Sequence, residues 1–427
     1  MQRRGFMTSL AAGTALAVFG QQATASQHHH KHRGQVMLDT GKWAPNTHRR
    51  VAQVIEQFGQ SGKRYRADKR PYVVFDWDNT SIMHDTEEAL LMYQINHLAF
   101  RLTPAEFAAI VKQGVPAGNF SADYKNTDGQ LVSLDSISSD LIDDYSEIHQ
   151  RYKGMAGSQS LEEVQDSDVF ADFRAKLYFM YEAINDTHGP NIGYPWVIYF
   201  FANMAVKEVA TLAEASNDNG LGDAIRKVKY TSPASRSGKA GIVNTAHTHG
   251  LRLTPEIANL MHVLQANGID VYVSTASLED VVRVFATLPK YGYGLDPKQI
   301  LGLRLETTAD GVFKNAYKAG WPLNWGPGKT ELIKRELVTK KGYGPLMVFG
   351  DSDGDYDMLR DFPDTQLGVI VNRLKKGKIG TLCSQAAESL GKPNARYVMQ
   401  GRDERTGQWI PEEMTLKLGK TEKKLLG

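Results

Sequence analysis

The stretch VVFDWDNTSIMHD, Val73 to Asp85, decides the fold. A short apolar run from Tyr72 to Phe75 breaks into two carboxylates one residue apart, Asp76 and Asp78, followed at once by Asn79 and Thr80. On an extended chain residues i and i+2 share a side, so the two carboxylates face one way as a strand opens into a loop. The segment is either an ordinary polar turn or the tip of a sheet built to aim an anion at a bound group. The rest of the chain decides between these.

Working outward, Val51, Val54, Ile55 and Phe58 fall at helical spacing and Gly59 stops the pattern, so a helix over 47–58 leads into the Tyr72–Phe75 strand. Further on, Thr254-Pro255-Glu256 reads as a cap with proline in the first turn, Ile257, Leu260, Met261 and Leu264 share a face, and Gly268 is the stop. A β-branched run, Ile269 to Val273, then ends in Ser274-Thr275-Ala276-Ser277, and a helical pattern runs through Val281, Val282 and Phe285. Pro345 to Gly350 and Leu367 to Val371 read as further buried strands, and Ile300 to Phe313 as a hairpin turning at Asp310-Gly311. Strands alternating with helices predict an α/β fold with a parallel sheet, whose sites lie at the strand carboxyl ends. Between the first two strands lies a long insert, about 85–244, helical in pattern and dense in aromatics. Within it, Ser216–Gly222 and Ser232–Gly241 read as loops.

At 427 residues the chain is long enough for two folded bodies. Its 50 Lys+Arg against 48 Asp+Glu leave a net charge of +2, which argues against nucleic-acid binding driven by bulk charge. The one cysteine, Cys383, excludes an intrachain disulfide and a cysteine-based zinc site. At the amino terminus, Arg3-Arg4-Gly5-Phe6 precedes an uncharged apolar run to Phe19, and Ala23-Thr24-Ala25 supplies the small residues a signal peptidase reads. The pattern resembles a twin-arginine export signal over 1–25, cleaved after Ala25, with a polar linker over 26–45 that carries the His28–His32 tract. The apolar run is short of the roughly 20 residues a bilayer span needs. A periplasmic or secreted protein with no stable membrane span after cleavage is the expectation.

Four polar clusters follow apolar strands or lie close to them: Asp76-Trp77-Asp78-Asn79-Thr80, Ser274-Thr275, Gly328-Lys329-Thr330, and Gly350-Asp351-Ser352-Asp353-Gly354-Asp355. Each alone is weak; their order and combination are hard to reach by chance. Together they suit phosphoryl transfer through an aspartyl phosphate. A carboxylate nucleophile divides a hard displacement into two easier steps, but approach to a dianion needs positive charge, which Mg²⁺ on oxygen ligands and Lys329 would supply. Ser274 would be a neutral donor to a phosphoryl oxygen, and a second acid would protonate the leaving alkoxide and later activate water.

In this order, DWDNT, VYVST, GK and GDSDGD resemble the four motifs of the haloacid dehalogenase superfamily phosphatases, across about 72–371. The resemblance implies a Rossmann-like parallel sheet and casts Asp76 as nucleophile, Asp78 as general acid/base, Ser274 as phosphoryl-binding hydroxyl and Lys329 as positive clamp. The implied magnesium ligands are the Asp76 carboxylate, the Asp78 backbone carbonyl and Asp351, with Asp355 supporting directly or through water. Asp353 and Gly354 depart from the family's common Gly-Asp-Gly-x-Asn-Asp form; of Asp353 and Asp355, Asp355 is the one favoured for the second acidic role. Asp78 speaks for phosphate esters over halides. The insert stands where a C1-type cap would, so the expected organisation is a catalytic core over 46–85 and 245–427 and a helical cap over 86–244. The phosphoserine phosphatase-like branch fits, and within it exported, phosphorylcholine phosphatase-like members.

The expected activity is therefore Mg²⁺-dependent hydrolysis of small polar phosphate esters, such as phosphorylcholine or a related amino-alcohol phosphate. A phosphotransferase using the same residues and an exported, non-hydrolytic phosphoester-binding protein are the alternatives. In the cap, Tyr194, Trp196 and Tyr199 are core packing on one reading and part of a cage for a cation on the other, with Gly193 to Trp196 as a turn; Thr275 is a further candidate for substrate contact. Glu87 and Glu88 read as a helix-dipole effect. His84, His247 and His249 read as loop residues, and the Trp77 side chain is expected to point away from the two carboxylates.

Overall fold

A computed structural model describes residues 35–427, so the export pattern and the His28–His32 tract lie outside the described residues. Six strands make the central sheet: β1 (Tyr72–Phe75), β2 (Asp270–Leu278), β3 (Ile300–Leu303), β4 (Met347–Gly350), β5 (Leu367–Val371) and β6 (Tyr397–Gln400). Their order is β6-β5-β4-β1-β2-β3, and every neighbouring pair is parallel. The sheet is buried on both faces, which is why these strands read as unbroken apolar runs. Along β1, Val73 and Phe75 enter one apolar cluster while Tyr72 and Val74 enter the other.

Sequence order reverses at β1, with β4 on one side and β2 on the other. That reversal opens a crevice beyond the carboxyl ends of the strands. The Asp76 loop leaves β1 there and the Asp351 loop leaves β4.

Most expected elements form: helices at Pro45–Phe58, Pro255–Ala266 and Glu279–Thr287, and the turn at Asp310-Gly311. The hairpin around that turn is Leu305–Thr307 with Phe313–Tyr317, whereas Ile300–Leu303 belongs to the central sheet. Between β1 and β2 run helices at Thr86–His97, Pro104–Ile110, Leu134–Arg151, Leu161–Gln165, Asp168–His188, Pro190–Ile198 and Val206–Gly222, then an antiparallel pair, Arg226–Thr231 with Asn244–His249. The insert is anchored where Val206–Gly222 packs on Thr86–His97 and on Glu279–Thr287.

Several local expectations are corrected. Ser216–Gly222 is the end of a helix, not a loop, because Ser216, Asn217 and Gly220 are buried and Gly220 lies close under Leu251. Gly193 to Trp196 is helical, with Pro195 inside the Pro190–Ile198 helix. His247 and His249 lie on a strand; its inward-facing positions are Thr245 and His247, and His247 Nδ1 is 2.9 Å from the Tyr178 hydroxyl. Residues 35–45 are not simply a solvated linker, since Leu38 and Trp43 are buried and Trp43 meets Trp409 edge to face.

Candidate active site

The tip of β1 continues the sheet for one residue, with the Asp76 amide donating to Phe349 O at 2.9 Å. Asn79 then takes a left-handed conformation, φ +63°, and the chain turns back. In this turn Ser81 Oγ donates to Asp76 O at 2.6 Å, and Thr80 Oγ1 stands 2.8 Å from both Asp76 Oδ2 and Asp351 Oδ1. Thr80 thus joins the loops of β1 and β4. Trp77 points the other way, fully buried against Phe285 and Tyr293.

Lys329 enters from the helix Pro327–Ile333, with Nζ 2.5 Å from Asp76 Oδ1 and 2.7 Å from Asp355 Oδ1. The glycine before it is required by space: a Cβ on Gly328 would sit 1.8 Å from Leu323 O. Gly350 has a similar reason, since its Cβ would meet Asp355 Cβ at 2.4 Å. Asp355 turns its other oxygen back onto its own loop, where Oδ2 accepts from the amides of Asp351 at 2.9 Å and Ser352 at 3.1 Å. Carboxylate oxygens of Asp76, Asp351 and Asp355 lie within 4.8 Å of one another, all buried. Asp353 stands apart from this group; its Oδ1 accepts from the Ile379 amide at 2.8 Å, at the start of the helix Lys378–Glu388.

Asp78 is held by two elements. Its Oδ1 accepts from the Thr86 amide and hydroxyl at 2.7 and 2.6 Å, and its Oδ2 from Ser277 Oγ at 2.7 Å. At the second motif the two adjacent hydroxyls have different partners. Ser274 is fully buried and its hydroxyl donates to Asn324 Oδ1 at 3.0 Å, while Asn324 is itself fastened to Thr275 O and Leu301 O. The Asp78 side of β2 belongs to Thr275, whose Oγ1 is 3.4 Å from Asp78 Oδ2, and to Ser277. Alternation along a strand forces this: 275 and 277 share a side that 274 cannot.

These groups open on a cavity of about 480 Å³ lined by Asp76, Asp78, Lys329 and Asp351, and also by Asp85, Glu87, Glu88, Tyr181 and Tyr194. Of the three cap aromatics, only Tyr194 lines it. Trp196 is a core residue; it is fully buried, donates from Nε1 to Val111 O at 3.0 Å and meets Phe200 edge to face. Tyr199 is half-buried beside Gln113 and Tyr317. The glutamates do more than face a helix dipole. Asp85 caps the helix by accepting from the Glu87 and Glu88 amides, which leaves both side chains at the cavity, with Glu87 Oε2 accepting from the Leu278 amide at 3.0 Å. Arg373 and Lys375 also line the cavity and were not singled out in the sequence; Arg373 donates to Asp351 Oδ2 at 2.6 Å. Their signal was their place just after the β5 apolar run.

Charge in the site is unbalanced toward the negative. Burial, and then the Asp355 carboxylate, push the Asp76 carboxyl well above the usual range, against the pull of Lys329. Burial also raises Asp78, opposed by its bonds from Thr86 and Ser277. Asp351 goes the other way: burial would raise it, but the Arg373 guanidinium brings it below the usual range. Burial lifts Glu87 to about 8 and Glu88 to about 7, the latter despite Arg373.

No family model matches the chain. Phosphorylcholine phosphatase of Pseudomonas aeruginosa is 24% identical over 404 residues, covering 87% of this chain and 88% of that protein. Among solved structures, a conserved protein of unknown function from Anaerococcus prevotii superposes with a TM-score of 0.83 at 30% identity, over 90% of this chain and 99% of its own. Its fold and the relationship at that identity extend over nearly all of the described residues. With a six-stranded parallel sheet reversing at β1 and the four motifs gathered at that edge, the chain belongs to one family with the Anaerococcus protein and keeps the arrangement its resemblance to the haloacid dehalogenase superfamily implies.

Proposed function

We propose that this phosphatase hydrolyses small phosphate monoesters through an aspartyl phosphate, with Asp76 as nucleophile and Asp78 as general acid and base. One observation carries the proposal: Asp76, held against Lys329, and Asp78, turned by Thr86 and Ser277, line a single cavity at the sheet edge. The Asp76 carboxylate attacks phosphorus while the bond from phosphorus to the ester oxygen breaks, and Asp78 gives its proton to the departing alkoxide. Asp78 then takes a proton from water, whose oxygen attacks the same phosphorus; phosphate leaves and Asp76 is regenerated. The burial that raises Asp78 favours the protonated form the first step needs. Thr275, whose hydroxyl accepts from the Ser277 amide at 3.1 Å and has only a long contact, 3.4 Å, as a donor to Asp78, is the neutral donor for a phosphoryl oxygen.

The donor set fits a hard divalent cation: oxygen ligands only, buried, with three carboxylates against the two cations Lys329 and Arg373. Asp76, Asp351 and the Asp78 carbonyl would hold Mg²⁺, and Asp355, with both oxygens engaged by Lys329 and loop amides, would brace the loop that carries Asp351. Bound there, Mg²⁺ supplies positive charge against the phosphoryl dianion.

The substrate class follows from the cavity's remaining lining. Asp85, Glu87 and Glu88 beside the Tyr181 and Tyr194 rings suit an amino alcohol, because a quaternary ammonium is favoured by aromatic faces and, once bound, draws carboxyls raised by burial back toward the charged form. The name of the Pseudomonas relative supports the same choice. Hydrolysis of p-nitrophenyl phosphate should require Mg²⁺ and vanish in Asp76→Asn; full activity in that variant would remove the nucleophile. Across a panel of phosphate monoesters, those of choline and ethanolamine should lead in kcat/KM and lose the lead in Tyr194→Ala. Glycerol or sugar phosphates ranking equally in the unaltered protein would refute the substrate class. We further infer export from the Arg3-Arg4 pattern, tested by whether the amino terminus of the cell-exported protein is Ser26.

A further inference from the structure

Beyond β6 the chain builds a small sheet from short strands at Arg402–Asp403, Gln408–Trp409, Thr415–Leu416 and Lys423–Lys424, none of which lies in the four motifs. From it Arg402, 3% exposed, reaches back across 323 positions of sequence to the loop after β1. One guanidinium nitrogen, Nη1, stands 3.3 Å from Asn79 O and 3.2 Å from Asn79 Oδ1. Asn79 is the residue between Asp78 and Thr80, and its φ of +63° lies in the left-handed region, which asparagine enters more readily than most residues other than glycine. This single turn sets where Asp78 lands on one side and Thr80, with its contacts to Asp76 and Asp351, on the other.

Arg402 is itself aimed from behind. Its Nη2 donates to Glu404 Oε1 at 2.9 Å, Glu404 Oε1 accepts from Lys417 Nζ at 2.8 Å, and the Arg402 amide donates to Thr415 Oγ1 at 3.2 Å. The same segment also fastens the loop after β5. Asn372 Nδ2 donates to Glu413 O at 2.9 Å and Leu425 O at 2.8 Å, immediately before Arg373, the partner of Asp351. One tie reaches the loop that carries Asp76 and Asp78, and the other the loop that carries Arg373, the partner of Asp351.

We propose that Arg402 is a positioning residue, and that through Asn79 the carboxyl-terminal sheet clamps the Asp76–Thr80 loop in its reactive geometry. The proposal rests on Asp76 and Asp78 being the reacting carboxylates. A group that only orients reacting atoms lowers kcat while leaving substrate affinity nearly alone.

The test uses the full chain, p-nitrophenyl phosphate and saturating Mg²⁺, with folding followed by circular dichroism. In Arg402→Lys and Arg402→Gly, kcat should fall about 10–100-fold with KM held within about threefold. Methylguanidine should restore part of kcat in Arg402→Gly and do nothing for the unaltered protein. Asn79→Gly keeps the backbone turn but loses one acceptor, and its effect should fail to add to that of Arg402→Lys. Folded Arg402 variants with kcat within about threefold of the unaltered protein, alongside an inactive Asp76→Asn, would overturn the clamp and leave the functional reading intact. Activity in Asp76→Asn would overturn both. Should Arg402→Gly not fold, the Arg402→Lys and Asn79→Gly cycle decides, and additive effects overturn the proposal.

Discussion

The second motif offers two adjacent hydroxyls with opposite fates, so Ser274→Ala and Thr275→Val separate packing from chemistry. Ser274 Oγ is fully buried and bonded only to Asn324 among the described residues, at 3.0 Å. Its removal leaves Asn324 Oδ1 without a donor, a cost of about 1–3 kcal/mol. For a body of this size the unfolding entropy is about 0.8 kcal/mol per kelvin, so Tm should drop about 1–4 °C. No reacting group loses a contact, and kcat/KM for p-nitrophenyl phosphate should stay within about threefold. Thr275→Val keeps shape and β propensity but removes the donor beside Asp78; kcat/KM should fall about 10²-fold, the loss typical of one missing donor to a developing oxyanion. Steady-state kinetics on both proteins, paired with thermal unfolding, reads the two effects apart. A 10²-fold loss in a natively folded Ser274→Ala, with Thr275→Val near the unaltered rate, would refute the assignment and return the phosphoryl contact to Ser274.

Trp196→Ala should cost about 3–5 kcal/mol of stability and leave the order of phosphate-ester preference unchanged, because the ring fills the cap core rather than the cavity; urea melts and the ester panel check each half. Burial, then repulsion from His249 and His84, hold His247 down to about 3. The unfolded chain therefore takes up a proton near pH 6.5 that the folded chain refuses, and stability falls as pH drops from about 6.5 to about 3, by roughly 1.4 kcal/mol per unit. In His247→Gln the loss measured by urea denaturation between pH 7 and pH 5 should shrink by about 2 kcal/mol. Glu404 has the opposite partner effect: burial would raise it, but Arg402 and Lys417 bring it down to about 2. Its contribution is complete above about pH 4.5 and disappears as pH falls toward 2, so Glu404→Gln should flatten the stability profile in that window.

Local pattern was enough for the four inner strands of the sheet and for the choice of motifs, but not for its two edge strands, β3, which read as a hairpin arm, and β6. Strands buried on both faces must be apolar throughout, so β1, β4 and β5 stood out, and the abrupt change to Asp76 or Asp351 marked their carboxyl ends. A glycine forced by close approach, as at Gly328, is equally local. Short helical segments inside the insert were harder, because Ser216 and Asn217 are buried for tertiary reasons that override their preference for turns.

What spacing alone did not settle was direction and partnership. Whether Ser274 or Thr275 faces Asp78 depends on how β2 runs where its pairing with β3 shifts register between Ser274 and Leu278. Tyr194 and Trp196 are two residues apart, yet on a helix that places them on different sides, one at the cavity and one in the core. By itself, then, the sequence determined the parallel α/β character and the carboxylates at its strand ends, since these follow from short-range burial and alternation, while the strand order that reverses at β1 came from the tertiary structure. Only the tertiary structure decided which hydroxyl, which ring and which arginine join them, because a partner such as Arg402 is brought to Asn79 by the closing of the whole chain and leaves no periodic trace near either residue.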